Sequence, residues 1–370
     1  MNYKNLRIPV FILCLILFSS ILGACENSVQ VSPAISIGME GVDFAKSLTS
    51  LYPYRKAYSD QERNAASLIA DELKDMGYTP ETVSFGADKK ISRNIIIRIP
   101  GNGFLIPTSN DSDSTEITIR RKVILGAHYD TAIGIEKRND YPDYDGIQGN
   151  ASGVGALISA AKELKKLQMG YDIIIVFFGA GNDDFAGARA FLASMKGPEI
   201  ENTDVMYCID SIYAGDKLYA HAGINSIIQA TKYERRRKLY ELSDVAILNR
   251  IDLRFNVSDL DVDVDNDKKK DVYREVTIAK SDYSVFDKAN IPCVFIESFD
   301  YFGASTAEQQ ESKNPFFSET TGKIRGTKLD SLKLLSKVFE DDRLESRIRN
   351  TAFIIVEGIE KGIYIAGRDG

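Results

Sequence analysis

His128 and Asp130 are the first side chains whose types and spacing could do chemistry. His128 ends the apolar run VILGAH, and the aspartate follows two residues later. A neutral imidazole ligates a metal through one ring nitrogen while a carboxylate orients the ring through the other. A hydrogen-bonded structural histidine explains the same pattern equally well. The only other histidine is His221, which we place in a loop, and this scarcity weighs against a zinc site.

Five motifs follow one another in the order of a known family. They read VILGAHYDT, GNASGVGALISAAKEL, IIIVFFGAGNDDFAGARAFL, CIDSI and SDYSVFDKANIPCVFI. From about residue 43 to the C-terminus, the chain resembles the co-catalytic di-zinc aminopeptidases, metallopeptidase family twenty-eight, which also contains the glutaminyl cyclases. The resemblance implies a zinc-exopeptidase-like fold.

The resemblance also implies where a metal site would lie. The first histidine ligand falls on His128, its orienting aspartate on Asp130, and a further aspartate ligand on Asp210, and all three are present. The other positions are replaced. The bridging aspartate is Gly149, the general base is Gly181, the glutamate ligand is Asn182 and the last histidine is Tyr283.

Two of the five implied ligands are therefore retained, His128 and Asp210. A catalytic zinc needs three protein ligands and an open position for water, so we expect no cofactor and no catalysis. A local shift of the backbone could bring in another acid, and this alternative stays open for Asp143, Asp145, Asp183 and Asp184. Zinc would be the cofactor in that case, and Tyr283 could in principle ligate.

The elements that must position these residues alternate along the chain. Strand-like apolar runs lie at 122–127, 172–178, 205–209 and 293–297, and helical segments lie at 152–167, 185–195 and 281–289. Continuous apolar strands between helices are typical of parallel sheets covered on both faces. We predict an α/β fold with a three-layer, mostly parallel twisted sheet and helices on both faces. Ligands bind such sheets beyond the carboxyl ends of the strands, where His128 and Asp210 fall.

Other segments give weaker signals. An amphipathic helix is predicted from Ser59, as N-cap, to Met76, with Gly77 as its stop. Residues 101–118 read as a surface loop. The basic run 235–238 lies in a helical, charge-mixed segment, and we interpret it as a solvated helix face.

Residues 259–271 interrupt the alternation with a charged stretch. Asp261, Asp263 and Asp265 suggest a calcium loop, but Asn266 and Val272 stand where such a loop takes glycine and glutamate. We favour a solvated hairpin tip.

The N-terminus predicts the location of the protein. Lys4 and Arg7 precede an apolar stretch at 8–22, and Leu22-Gly23-Ala24-Cys25 follows it. This is typical of a lipoprotein signal peptide, and an uncleaved membrane anchor is the alternative. We expect a signal peptide at 1–24, a tether at 25–42 lipidated on Cys25, and a zinc-aminopeptidase-like domain at 43–370. The mature chain would be a membrane-anchored lipoprotein of the cell envelope, facing outside the cytoplasm.

The net charge of the mature chain limits the kinds of partner that we expect. Removal of residues 1–24 takes away two of the 46 basic residues and none of the 53 acidic ones, which leaves a net charge of −9. Nucleic acid is therefore not an expected partner.

Cys208 and Cys293 lie in apolar runs, and we predict buried thiols there, although an oxidising compartment would permit a disulfide.

These observations favour a cell-envelope lipoprotein with a non-catalytic, aminopeptidase-like domain that binds a peptide or another small ligand. The alternative is an active metal-dependent aminopeptidase with an altered or single-metal site. A third hypothesis is a structural envelope protein that uses its outer surface.

Overall fold

The structure is a computed structural model, and it describes residues 37–107, 116–227, 233–256, 267–269, 275–302 and 308–361. The signal peptide, Cys25, the tether up to residue 36 and the three aspartates of the possible calcium loop, Asp261, Asp263 and Asp265, lie outside these described residues. Within the described ranges, no helix is both long enough and apolar enough to span a membrane.

Ten strands and nine α-helices make up the described fold. The strands are β1 (Glu81–Ala87), β2 (Lys90–Ile99), β3 (Phe104–Pro107), β4 (Glu116–Ile119), β5 (Lys122–His128), β6 (Asp172–Phe178), β7 (Thr203–Ile209), β8 (Lys217–Ala222), β9 (Leu253–Arg254) and β10 (Cys293–Phe299). The helices are α1 (Glu40–Leu51), α2 (Asp60–Asp75), α3 (Ser152–Leu164), α4 (Ala186–Ser194), α5 (Gly197–Glu201), α6 (Arg237–Leu248), α7 (Tyr283–Lys288), α8 (Leu332–Leu335) and α9 (Arg343–Glu360).

Eight of the strands form one sheet in the order β1-β2-β6-β5-β7-β10-β8-β9. The four central strands, β6, β5, β7 and β10, are mutually parallel, while β2 and β8 pair antiparallel with the central strands beside them. The carboxyl ends of the four parallel strands therefore meet at one edge of the sheet.

Alternate residues of the central strands supply two separate cores. On β5, Val123 and Leu125 face the larger core, packed under α1, α2, α3, α6 and α9, whereas Ile124 faces the smaller core with residues of α4 and α7. Side chains alternate between the faces of a strand, so a strand buried on both faces needs a continuous apolar run. The predicted α/β architecture with helices on both faces is confirmed.

The predicted helix after Ser59 is also present. The Ser59 hydroxyl accepts a hydrogen bond from the Glu62 backbone N–H at 3.1 Å, and Gly77 follows the helix with φ +78°. Such a cap satisfies one of the unpaired N–H groups of the first turn.

Three segments differ from the sequence prediction. Residues 101–118 contain β3 and the start of β4, which pair as a small two-stranded sheet. His221 lies in β8 and not in a loop. Helix α1 begins at Glu40 and buries Val42, so residues 40–42, assigned to the tether, belong to the folded domain.

The interpretation of residues 235–238 as a solvated helix face was wrong. Arg236 is 8% exposed and Lys238 only 3%. The Lys238 ammonium lies 4.9 Å from the centre of the Tyr171 ring and 2.6 Å from a Glu241 carboxylate oxygen. The aliphatic stem of a lysine can be buried when its charged end finds such partners.

The two cysteines of the central sheet are free, buried thiols, as predicted. Cys208 pairs in register with Phe295, and Cys293 pairs with Met206. The two thiols are thus offset by two residues along neighbouring parallel strands. Burial raises the pKa of both.

Candidate functional site

The candidate site lies where the central strands end. His128 is the last residue of β5, Asp210 follows β7 directly, and Gly181 and Asn182 lie in the turn after β6. Because these strands are parallel and adjacent, residues far apart in the chain come together here.

His128 is held between two carboxylates. Its Nδ1 lies 3.2 Å from Oδ1 of Asp130, and its Nε2 lies 3.4 Å from Oδ1 of Asp210. Burial alone would lower the pKa of His128, but the two aspartates outweigh burial and raise it well above its ordinary value. A charged imidazole donates through both nitrogens and has no lone pair to offer a metal.

The carboxylate of Asp210 is fully engaged. Oδ2 accepts hydrogen bonds from Arg325 Nη1 and from Ser281 Oγ, both at 2.8 Å, and Oδ1 accepts one from Ser211 Oγ at 2.7 Å. Burial would raise the pKa of Asp210, but the charges of Arg325 and His128 hold it well below its ordinary value. Asp210 is therefore an ionised carboxylate that is neutralised by protein groups.

The two positions of the implied glutamate pair contribute mainly through their backbone. The N–H groups of Gly181 and Asn182 donate to the two Asp130 oxygens at 2.7 and 3.0 Å, and the Asn182 side chain adds a bond of 3.1 Å. A Cβ atom at Gly181 would lie 2.4 Å from Cβ of His128. The turn therefore holds Asp130 but leaves no room for a side chain at residue 181.

Arg325 fills the space beside Gly149, the implied position of the bridging aspartate. A Cβ atom at Gly149 would lie 2.6 Å from Cγ and 3.0 Å from Cδ of Arg325. The Gly149 N–H donates to Asp330 at 3.2 Å. Position 149 is thus packed against the arginine stem that leads to Asp210.

Tyr283, at the implied position of the last histidine, is buried and engaged elsewhere. Its hydroxyl donates to the carbonyl oxygen of Ala279 at 2.5 Å, and its ring stacks on Phe295 with centres 4.9 Å apart. The tyrosine is a core residue here.

Asp183 and Asp184 do not replace the missing acids. Asp183 accepts a hydrogen bond from the Tyr58 hydroxyl at 2.7 Å and lies 3.5 Å from the Lys90 ammonium. Asp184 is exposed and forms an ion pair with Arg189. Both carboxylates are therefore bound to groups outside the His128–Asp210 pair.

The acids before Gly149 are also engaged elsewhere. Asp143 forms an ion pair with Lys333 at 2.8 Å. Asp145 is half-buried and accepts hydrogen bonds from the backbone N–H groups of Ile147 and Leu332 at 3.0 and 2.8 Å. Burial raises the pKa of Asp145 to about 7.

The described side chains do not form a complete zinc site. Two ligand atoms on one tetrahedral zinc lie about 3.3 Å apart. The 3.4 Å between Nε2 of His128 and Oδ1 of Asp210 would therefore suit a shared ion. A third ligand is missing, because no cluster of three or more His, Cys, Asp and Glu side chains in the described part of the chain has the geometry to hold a metal. Arg325 moreover brings a positive charge to the remaining aspartate.

The structure brings His128, Asp130 and Asp210 together, and sequence reasoning missed Arg325. This residue lies 115 positions beyond Asp210 and in none of the five motifs. The glycine at position 149 was the one available signal, because it leaves space that another side chain must fill.

His221 takes no part in this site. It is fully buried in β8, and its ring stacks on Tyr219 with centres 5.6 Å apart. Its Nε2 lies 3.5 Å from Oε1 of Glu297. It is a core residue of the sheet.

Comparison with known proteins agrees with the architecture. The chain is 23% identical to the alkaline phosphatase isozyme conversion protein of Escherichia coli K12 over 326 residues, which cover 84% of this chain and 87% of that protein. A zinc aminopeptidase from Bacillus subtilis superposes with a TM-score of 0.60 at 13% identity, covering 88% of this chain and 96% of the other. A glutaminyl cyclase from an Acidobacteriales bacterium superposes with a TM-score of 0.58 at 18% identity, covering 92% and 100%.

The structural likenesses establish the fold alone, because their sequence identities are low. The family follows from the sequence itself, since residues 112–321, more than half of the chain, match the model of peptidase family M28. These residues span the strands that carry His128 and Asp210 and the loop before Arg325. The chain belongs to peptidase family M28.

Proposed function

We propose that this chain is a cell-envelope lipoprotein, anchored by a lipid on Cys25, whose M28 domain binds a peptide or another small ligand without hydrolysing it. One observation carries the proposal. The Asp210 carboxylate is already surrounded by Arg325, His128 and two serine hydroxyls. Because these groups neutralise the carboxylate, a metal would have to displace them to bind.

Missing acid–base chemistry supports the same conclusion. Position 181, the general base of the family, is a glycine without space for a side chain. The two aspartates beside His128 raise its pKa, which favours the charged imidazole and disfavours His128 as the acceptor of a proton from water.

The size of these losses explains why turnover should vanish. A zinc ion lowers the pKa of its bound water from about 16 to about 7. A general base adds typically about 10²–10⁴-fold to the rate. A site that lacks both contributions should not exceed the background rate of peptide hydrolysis.

A cavity that has Tyr283 in its wall offers space for a ligand. Its volume is about 310 Å³, and Phe185, Ile278 and Tyr283 contribute to its wall. Its lining carries three basic side chains, among them the exposed Lys280 and Lys288, and two acidic ones, so the basic groups are in excess by one. An apolar wall beside positive charges suits a ligand with an apolar body and a negative group, for example a peptide with an apolar side chain and a free carboxylate.

An active metal-dependent aminopeptidase is the second candidate. It is favoured by the spacing of His128 and Asp210, whose donor atoms lie 3.4 Å apart and could share one zinc. The third hypothesis, a structural role for the outer surface, needs neither metal nor ligand.

Hydrolysis assays separate the first two candidates. The purified full chain is incubated with the nitroanilides of Leu, Ala, Lys and Glu, with zinc, cobalt or manganese supplied. We expect wild-type rates equal to those of the His128→Ala variant. Cleavage that is abolished by chelator or by His128→Ala would establish the enzyme instead.

Thermal shift measurements then separate binding from a structural role. A ligand that binds only the native state raises its stability by RT ln(1 + [L]/Kd). We expect a peptide with an apolar residue and a free C-terminus to raise the Tm, and Ile278→Glu to reduce the rise. A matched exposed position far from the cavity, Ile247→Glu, is the control.

A further inference from the structure

Arg325 is held in place by its own loop before it reaches Asp210. Oε2 of Glu311 accepts hydrogen bonds from the backbone N–H groups of Ile324 and Arg325, the latter at 2.8 Å. Oδ2 of Asp330 lies 3.4 Å from the Gly326 nitrogen. The loop therefore fixes the backbone on both sides of residue 325.

From this position the Arg325 guanidinium reaches the Asp210 carboxylate. Nη1 of Arg325 donates to Oδ2 of Asp210 at 2.8 Å and to Oγ of Ser211 at 3.3 Å. The Asp210 side chain is only 3% exposed. A buried carboxylate is costly unless a positive charge and hydrogen bonds compensate it.

Gly149 provides the space that this arrangement needs. Its φ is −121°, a value that any residue can adopt, so the backbone does not require glycine there. The requirement comes from packing, because a Cβ atom would lie 2.6 Å from Cγ of Arg325 and 3.4 Å from Oδ2 of Asp330. A larger residue at 149 would push the arginine stem away from Asp210.

We propose that Arg325 and Gly149 are a matched pair, in which the guanidinium gives Asp210 the positive charge that a metal gives this position elsewhere in the family. The inference deepens the proposed function and rests on it, since it names the group that stands in for the metal. His128 contacts both Asp130 and Asp210, so the protein's own groups occupy the contacts of these two carboxylates.

The first test is a double-mutant cycle on the Tm of the full chain, with Gly149→Ala and Arg325→Ala. In the wild-type background, Gly149→Ala should lower the Tm by several degrees because it displaces Arg325. In the Arg325→Ala background the same change should have little effect. Arg325→Met keeps the stem without the charge, so Gly149→Ala should remain harmful there.

Arg254→Ala is the matched control, because Arg254 also forms an ion pair with an aspartate, Asp252. Its effect on the Tm should add to that of Gly149→Ala without coupling. Equal losses from Gly149→Ala with and without Arg325 would overturn the pairing. They would leave the question of catalysis untouched, since that is decided by the nitroanilide assays.

The second test measures zinc affinity by competition with a chromogenic chelator. Gly149→Asp alone should bind no more zinc than wild type, because Arg325 blocks the position. Gly149→Asp with Arg325→Ala offers His128, Asp210 and the introduced carboxylate, and it should bind zinc at least about ten-fold more tightly than either single variant. Equal zinc affinities of the single Gly149→Asp variant and the double variant would contradict the proposal.

Discussion

Nε2 of His128 lies 3.4 Å from Oδ1 of Asp210, so a charged imidazole faces a charged carboxylate in a buried position. The pKa of His128 is raised. The stability that His128 contributes is therefore fully present below the ordinary imidazole pKa, and it is lost as pH rises through the raised pKa. The pKa of Asp210 is lowered, so its contribution is present above its ordinary value and is lost only in strong acid. The pair therefore stabilises the fold most in weak acid, and the share of His128 declines as pH rises above the ordinary imidazole pKa.

A buried acid beside this pair should make stability depend on pH. Burial, together with the carboxylates of Asp210 and Asp130, raises the pKa of Asp282 to about 7, against the charge of His128. Neither Asp282 oxygen has a hydrogen-bond partner within the described residues. Because the unfolded chain ionises near pH 4, Asp282 reduces stability progressively between about pH 4 and pH 7.

The Asp282→Asn variant should therefore gain stability relative to wild type at high pH. We expect the difference in unfolding free energy between variant and wild type to be more favourable at pH 8 than at pH 5, by on the order of 2 kcal/mol. Urea unfolding at both pH values measures it. The exposed Asp244→Asn should give equal differences at the two pH values, and an equal result for Asp282→Asn would contradict the assignment.

Any side chain at residue 181 should disturb His128. A Cβ atom there would lie 2.4 Å from the His128 Cβ, and overpacking of this kind costs about 1–3 kcal/mol. Gly181→Ala should lower the free energy of unfolding by that amount. Gly197→Ala, where a Cβ atom would meet nothing within 4 Å, is the matched control and should change little.

Chelator treatment should leave the Tm unchanged. The sheet buries two apolar cores on its own faces, so folding should not depend on a metal. Differential scanning calorimetry of the full chain with and without EDTA measures this. A large fall in the Tm with EDTA, reversed by zinc, would mean that the His128–Asp210 pair holds an ion after all.

The thiols of Cys208 and Cys293 should react only after unfolding. Both are buried, and burial raises the pKa of both thiols, which disfavours the reactive thiolate. An alkylating reagent should label neither in the native protein and both in denaturant without reductant. Labelling that requires a reductant would show a disulfide.

The predicted lipid on Cys25 lies outside the described residues and needs its own test. Cys25→Ser should leave the protein unprocessed or release it from the membrane, because each buried methylene of a lipid contributes about 0.8 kcal/mol to anchoring. Mass spectrometry and detergent partitioning measure the change. An unaltered mass and unaltered partitioning would rule out lipidation at this residue.

Much of the fold was predictable because each signal was local. The run DIIIVFF of β6 is continuous and apolar since the strand is buried on both faces, and Ser59 predicts its helix start through its own cap. Elements with weaker local patterns were not predicted, such as β8 around His221. The alternation within β8 did not indicate that this strand lies between β10 and β9, or that Tyr219 stacks on the His221 ring.

The sequence by itself determined the family, the order of the strands along the chain and the placement of His128 and Asp210 at strand ends. It also identified Gly149, Gly181, Asn182 and Tyr283 as replaced positions. The tertiary structure alone decided what occupies the space that those replacements leave. Arg325 reaches Asp210 from a loop 115 residues away, and only the packing of that loop over the strand ends brings the guanidinium to the carboxylate that it neutralises.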